Sequence, residues 1–160
     1  MRIHRYHVDR EGALFFEGCR LNDPWTLRFF LRNMDVDEQG RYVVVCDGEY
    51  CYIEAEDTPY VVVDLDVKTS GSGSVEGIEL LFAGSYKERL DPYTLFVDHG
   101  NIPYCMVRKG RFPARFNRKS YYHLASYVDF DESKGLFWIT VGGRDFTIRM
   151  DGVAAVSQCV

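Results

Sequence analysis

The residues best suited to chemistry in this 160-residue chain form two clusters of opposite charge. Carboxylates crowd residues 47–57, and cationic side chains crowd residues 108–119. The acidic members are Asp47, Glu49, Glu54, Glu56 and Asp57; the basic members are Arg108, Lys109, Arg111, Arg115, Arg118 and Lys119. Such charge runs often face water or neutralise one another, which is the plainest interpretation. A second interpretation is that they build a binding site.

The basic cluster predicts a pocket for an anionic small molecule. Arginine forks bind phosphate and carboxylate in bidentate fashion, and Tyr104, Tyr121 or Tyr122 would add an apolar wall and a hydroxyl. We therefore expect the side chains of Arg108, Arg115 and Arg118 to converge on one cavity. Six cations near aromatic rings could also contact an RNA backbone, but no RNP, KH or helix-turn-helix pattern is present. A net charge of −5 makes nucleic acid an unlikely partner, and RNA binding stays an alternative.

The acidic cluster permits a different chemistry. Glu54 and Glu56 lie two apart on a predicted strand, so both carboxylates project from one face, as hard-metal ligands or a general acid/base pair can. A divalent-metal-dependent hydrolase using the carboxylates of residues 47–57 is therefore a further alternative. The sequence shows no nucleophile elbow, phosphate-cradling glycine loop or H-E-x-x-H pattern. We accordingly assign no catalytic residue and no cofactor.

A structural role is expected where the acidic cluster meets a strand entrance. Asp57 precedes Thr58 and Pro59, at a position where a carboxylate accepts backbone N–H bonds and an arginine fork together. We expect Glu49, Glu56 and Asp57 to meet Arg32 and Arg41 there. The complete set of predicted ligand-binding residues is Arg32, Arg41, Glu49, Glu56, Asp57, Tyr104, Arg108, Arg115, Arg118 and Tyr122.

The five cysteines predict neither a disulfide framework nor a metal site. An odd number in a chain whose opening residues lack an apolar signal core favours reduced thiols in the cytoplasm. The residues are Cys19, Cys46, Cys51, Cys105 and Cys159. Their spacing fits no zinc motif, and Cys46 with Cys51 could face each other across a hairpin. No metal is therefore predicted.

One supersecondary unit occurs twice in the sequence, and it must position these residues. With a shift of 95 residues, the segment from Arg20 aligns with the segment from Arg115 without a gap. The identities are Arg20 with Arg115, Asn22 with Asn117, Gly40 with Gly135, Gly48 with Gly143, and Ile53 with Ile148. Each copy reads as a helix followed by a β-hairpin. Duplicated units imply two lobes with a seam, where ligands commonly bind.

Helix signals support this division. Asp23 is a predicted N-cap and Pro24 a first helical residue, followed by an apolar stripe that includes Phe30 and Met34. A second helix is expected over roughly residues 119–128, with the stripe Tyr121, Leu124, Ala125 and Val128, one residue out of step with the first. We predict an α+β, β-rich single domain over 1–160, with antiparallel or barrel-like sheets. Unit one covers about 1–57, middle strands 58–97, and unit two about 98–151.

Composition indicates an ordinary soluble protein. An apolar content of 46% and a charged content of 27% are typical of globular domains. No apolar run reaches membrane-spanning length, so no membrane partner is predicted. An exposed edge strand on either lobe could pair with a protein partner or a second copy as a homodimer.

Several motifs resemble uncharacterised families. The runs LFFEG, FFLRNM, GRY and CDGEYCYIEAEDTPYVV are similar to the family of domains of unknown function numbered 4505. The E-D-x-P-Y strand start and the R-x-x-Y-Y-x-L helix also resemble the bacterial family numbered 1285 (DUF1285). The likeness runs roughly from Tyr6 to Ile148, without the Gly/Ser loop, and Tyr50 and Cys51 depart from the pattern. It rests on Arg32, Asn33, Gly40, Arg41, Tyr42, Cys46, Gly48, Glu49, Ile53, Glu56, Asp57, Pro59, Arg118, Tyr121, Tyr122 and Leu124. The resemblance implies an α+β fold of repeated β-rich motifs, a role in ligand binding or signalling, and no transferable catalytic residues.

Overall fold

Two α-helices begin where the sequence supplies a capping side chain. The computed structural model describes residues 2–98 and 100–150. Helix α1 spans Pro24–Asn33 and helix α2 spans Arg118–Ala125. The Asp23 carboxylate accepts the backbone N–H of Thr26, and the Asn117 side chain accepts that of Ser120, so each cap satisfies one of the orphan donors of a helix start.

A six-stranded sheet holds the first helix. Its strands are β1 Ile3–Val8, β2 Leu14–Phe16, β3 Cys19–Arg20, β4 Asp35–Val36, β5 Tyr42–Cys46 and β6 Glu49–Ala55, in the order β3-β2-β1-β6-β5-β4. Strand β1 runs parallel to β6, with Tyr6 opposite Ile53. Val44 is fully buried and its neighbour Val45 is half exposed, because successive side chains of a strand point to opposite faces.

The remaining strands form three further sheets. They are β7 Tyr60–Val62, β8 Asp64–Thr69, β9 Val75–Leu81, β10 Lys87–Arg89, β11 Phe96–Val97, β12 Pro103–Val107, β13 Phe112–Phe116, β14 Val128–Asp131, β15 Leu136–Val141, β16 Arg144–Thr147 and β17 Arg149–Met150. Their orders are β10-β9-β8, β17-β11-β12-β13-β7 and β14-β15-β16. One continuous hydrophobic core links all four sheets, with Tyr60, Phe112 and Ile139 fully buried.

The predicted α+β fold with two main helices is confirmed. Most strand pairs are antiparallel, but β1 with β6, β7 with β13, and β11 with β17 are parallel. The described strands form open sheets, so the barrel-like alternative is wrong. The unit boundaries remain a prediction, and Asp151 at the end of unit two lies outside the described residues.

Both predicted copies contain a helix followed by three antiparallel strands, but the alignment between them contains a gap. Val44 pairs with Cys51, and the corresponding Ile139 pairs with Phe146. In the preceding strands Val36 pairs with Tyr42, whereas the pair in copy two is Phe130 with Phe137. The turn of copy two (DESKG) is therefore one residue longer than that of copy one (DEQG). This insertion explains why the apolar stripes of the two helices are offset by one residue in the gapless alignment. It also makes Asn117 the counterpart of Asp23.

The likeness also includes a hairpin that the sequence alignment missed. Strand β1 pairs with both β2 and β6, and β11 pairs in the same manner with β12 and β17. The Asp9 carboxylate accepts the N–H groups of residues 11 and 13, and the Asp98 carboxylate accepts those of residues 100 and 102. Both turns place their fourth residue, Gly12 or Asn101, at positive φ.

Candidate functional site

Arg108 lies inside the fold rather than in an anion pocket. One guanidinium nitrogen donates to the carbonyl oxygens of Leu31 and Met34, at 3.0 and 3.2 Å, and to the Tyr60 hydroxyl at 2.8 Å. The Tyr60 hydroxyl itself donates to the Leu31 carbonyl. Burial raises the pKa of Tyr60 to about 12, with Arg108 acting in the opposite direction. Arg108 therefore caps the C-terminal end of α1, where a cation is favourable.

Asp57, Tyr104 and Arg115 are the predicted site residues that the structure brings together. One Asp57 oxygen accepts the Tyr104 hydroxyl at 2.6 Å and an Arg115 guanidinium nitrogen at 2.7 Å. Burial and then the Asp57 hydrogen bond raise the pKa of Tyr104, which keeps its hydroxyl protonated as a donor. The Nε of Arg115 is buried and has no hydrogen-bond partner among the described residues. This cluster ties the residue that precedes β7 to strands β12 and β13.

The rest of the basic cluster is dispersed, so the expectation that Arg108, Arg115 and Arg118 converge on one cavity is wrong. The guanidinium of Arg118 lies 5.9 Å from the exposed ring of Tyr122. Arg111 pairs with Asp35, and Lys119 pairs with Asp64 at 3.1 Å. These partners lie on separate elements. The side chains of this basic cluster are therefore engaged with several different elements.

Three members of the acidic cluster pair with strand β1 and Asp57 pairs with Arg115, so the expected meeting with Arg32 and Arg41 is wrong. Glu49 lies 2.7 Å from the Nε2 of His4, and Glu56 lies 3.2 Å from that of His7. These contacts follow from the parallel pairing of β1 with β6. Arg41 instead pairs with Asp37 at 2.8 Å and lies over the Tyr52 ring, while Arg32 is exposed at the end of α1.

Within residues 2–98 and 100–150, no group of three or more His, Cys, Asp or Glu side chains is placed to hold a metal ion. Glu54 is engaged with Arg5 across the surface, at 3.5 Å. The carboxylates of residues 47–57 therefore form no such group with other described side chains.

Four cysteines are free thiols, and Cys159 lies outside the described residues. Cys46 pairs with Glu49 and Cys51 with Val44, so the two thiols are diagonal neighbours on the hairpin and do not lie directly opposite each other. Burial raises the pKa of Cys51 and of Cys105, which keeps both thiols protonated and unreactive.

An open apolar pocket of about 260 Å³ lies between α2, the β11–β12 hairpin and the strands that follow α2. Leu95, Leu124 and Ile148 form its buried floor, whereas Phe130 and Met150, at 51% and 38% exposure, lie at its rim. The other lining residues are Val97, Asn101, Pro103, Tyr121, Ala125, Val128 and Phe137. Among the residues that the structure describes, none of those that line the pocket is charged. The helix stripe of Tyr121, Leu124, Ala125 and Val128 signalled this pocket in the sequence, but on that evidence alone it looked like ordinary core.

Two solved structures share this fold. A DUF1285 family protein from Silicibacter pomeroyi DSS-3 matches with a TM-score of 0.67 and 22% sequence identity, covering 97% of this chain and 85% of that one. A DUF1285 family protein from Shewanella baltica OS155 matches with a TM-score of 0.56 and 14% identity, covering 76% of this chain and 90% of that one. These values establish a shared fold.

No protein-family model and no curated protein sequence matches the chain. The resemblance to DUF1285 proteins is thus supported at the level of structure, and the family numbered 4505 is not confirmed. Among the described residues, no helix is both long enough and apolar enough to cross a membrane.

Proposed function

We propose that the chain is a DUF1285 family member and a non-catalytic binding module that takes a small apolar ligand in the pocket beside α2. The open, uncharged cavity of about 260 Å³ carries this proposal. Ligand sites are typically concave and mostly apolar, with a few polar groups that fix orientation. Here Asn101 and the hydroxyl of Tyr121 are the polar groups on the lining.

The proposal moves the ligand away from the basic cluster predicted from the sequence. The guanidinium groups of Arg108 and Arg115 already have partners inside the fold. The described lining residues offer no counter-ion, and a charged group that loses its hydration without gaining one is costly to bury. The geometry therefore favours an uncharged ligand over an anionic metabolite.

A titration with two matched ring compounds tests the proposal. Toluene carries a methyl group where benzoate carries a carboxylate. Binding is followed in ¹³C-methyl spectra through the signals of Leu124, Ala125, Val128 and Ile148. We expect saturable shifts of these methyl signals with toluene and weaker or no shifts with benzoate. The methyl groups of Leu31 and Ile53, beneath the other helix, are the internal control. Absence of saturable shifts with both compounds would contradict the proposal.

The second candidate is an anion site at Arg115, because its buried Nε lacks a partner. Phosphate would then raise the melting temperature of the wild-type chain, since a ligand that binds only the native state stabilises it. The rise should vanish in Arg115→Gln and persist in Arg118→Gln. An equal rise in all three proteins would exclude Arg115 as the site. The cytoplasmic location and a protein partner or homodimer remain predictions.

A further inference from the structure

The open pocket has a nearly filled counterpart in unit one. A cavity of only about 20 Å³ lies beneath α1, and its lining includes Val8, Leu14 and Ile53. In the open pocket the equivalent positions are Val97, Pro103 and Ile148. Val97 pairs with Pro103 and Met150 as Val8 pairs with Leu14 and Ala55, so the strand frames of the two cavities correspond residue for residue.

The helices extend this correspondence to the side chains that fill each cavity. When the capping residues Asp23 and Asn117 are aligned, Phe30, Leu31 and Met34 coincide with Leu124, Ala125 and Val128. Each of the three is smaller in unit two. Leu27 coincides with Tyr121, which is larger and half-buried, so the substitutions do not simply shrink every position.

The cavity beneath α1 in unit one is also closed off by neighbouring residues. Pro59, Val61 and Ala83 close the cavity beneath α1, and Gly84 packs so tightly on that helix that a Cβ there would lie 2.7 Å from the backbone nitrogen of Arg28. At the mouth of the open pocket lie instead the exposed ring of Phe130 and the exposed side chain of Met150. Among the described residues, the same frame thus encloses core in one unit and an open apolar pocket in the other.

We propose that Leu124, Ala125 and Val128 determine what the pocket binds, by leaving the volume that Phe30, Leu31 and Met34 occupy in unit one. This inference rests on the proposed function and specifies its ligand class. The ligand presents an uncharged aromatic or branched aliphatic group. An apolar cavity of about 150 Å³ in another protein accommodates benzene, so this pocket has room for a ring with roughly two to four further heavy atoms.

The test introduces residues that fill the cavity of unit one at the equivalent positions of the open pocket. Ala125→Leu restores the side chain of Leu31 and should weaken toluene binding by at least about tenfold. Tyr122→Leu places the same new side chain on an exposed part of α2 outside the pocket lining, and should leave binding unchanged. In the wild type, isopropylbenzene should bind more tightly than toluene because it buries more apolar area.

Different outcomes separate this inference from the proposed function. If the wild type binds toluene and Ala125→Leu binds it equally well, the size-filtering role of these residues is wrong while the pocket stands. If the wild type binds neither toluene nor isopropylbenzene, both proposals fail. Overpacking can disturb a fold. Should Ala125→Leu lose its native methyl spectrum, Val128→Met is measured in the same way, and unchanged toluene binding in a folded Val128→Met would overturn the inference.

Discussion

At the scale of single residues, Asp57 connects parts of the chain that are far apart in sequence. Its carboxylate lies just before β7 and accepts hydrogen bonds from Tyr104 on β12 and Arg115 on β13. The backbone N–H of Arg115 also donates to the Thr58 hydroxyl, which donates to the Tyr60 carbonyl. Asp57 therefore links the segment before β7 to β12 and β13, and the structural role expected from its position before Pro59 stays a prediction.

Asp57→Asn should lower the free energy of unfolding by about 1–3 kcal/mol, because it removes the charge from hydrogen bonds to a partly buried guanidinium. Urea denaturation measures this loss. Glu54→Gln is the control, because its ion pair with Arg5 is 3.5 Å long and largely exposed; we expect a change below about 0.5 kcal/mol. An Asp57→Asn protein that is as stable as wild type but has lost ligand binding would make Asp57 a site residue instead.

At the scale of elements, Arg108 joins a hairpin to a helix. It lies in the β12–β13 turn at φ +53°, and its side chain reaches the last carbonyl groups of α1. Its backbone N–H donates to the carboxylate of Glu88 on β10, so three elements meet at one residue. A left-handed conformation is unfavourable for a residue with a side chain, and these hydrogen bonds hold the residue there.

Arg108→Lys should reduce the free energy of unfolding by about 1–3 kcal/mol, because lysine is one atom shorter and its ammonium nitrogen falls short of the position from which one guanidinium nitrogen contacts two carbonyls and the Tyr60 hydroxyl. Arg111→Lys, in the same turn, alters an ion pair with Asp35 whose side chains are at least half exposed. That control should change stability by less than about 1 kcal/mol. Equal losses in the two variants would show that the turn itself, and not the cap on α1, is responsible.

Local signals predicted the elements, whereas the contacts between distant elements could not be read from the sequence. The capping side chain Asp23 and the turn glycines Gly40 and Gly135 act within a few residues, so their patterns are visible in the sequence. The parallel pairing of β7 with β13 joins strands more than fifty residues apart, and no local pattern specifies which strand edges meet. The same contrast between local signals and distant contacts holds for the candidate site. The basic residues 108–119 are close together in sequence. Their side chains point in different directions because they lie on a turn, a strand and a helix.

At the scale of the whole molecule, the two units are joined through the middle strands and one hydrophobic core. Strand β7 follows unit one in sequence but pairs with β13, and β15 packs against β9 of the middle sheet. The hydrophobic core includes Val44 of unit one and Ile139 of unit two, both fully buried. The repeat therefore does not divide the protein into independently stable halves, and we expect the units to unfold together.

Val44→Ala tests this cooperativity because it damages one unit and can be read in the other. Loss of two buried methyl groups should lower the free energy of unfolding by about 2–3 kcal/mol. If unfolding is global, the most protected amides of β15 should exchange roughly 30- to 150-fold faster, although they lie in unit two. Val45→Ala is the matched control, since Val45 is the next residue of the same strand and is 52% exposed; β15 exchange should stay unchanged. If β15 protection is unaltered in Val44→Ala and faster exchange is confined to β5 and β6, the two copies open separately. The middle strands and the common core would then not couple them.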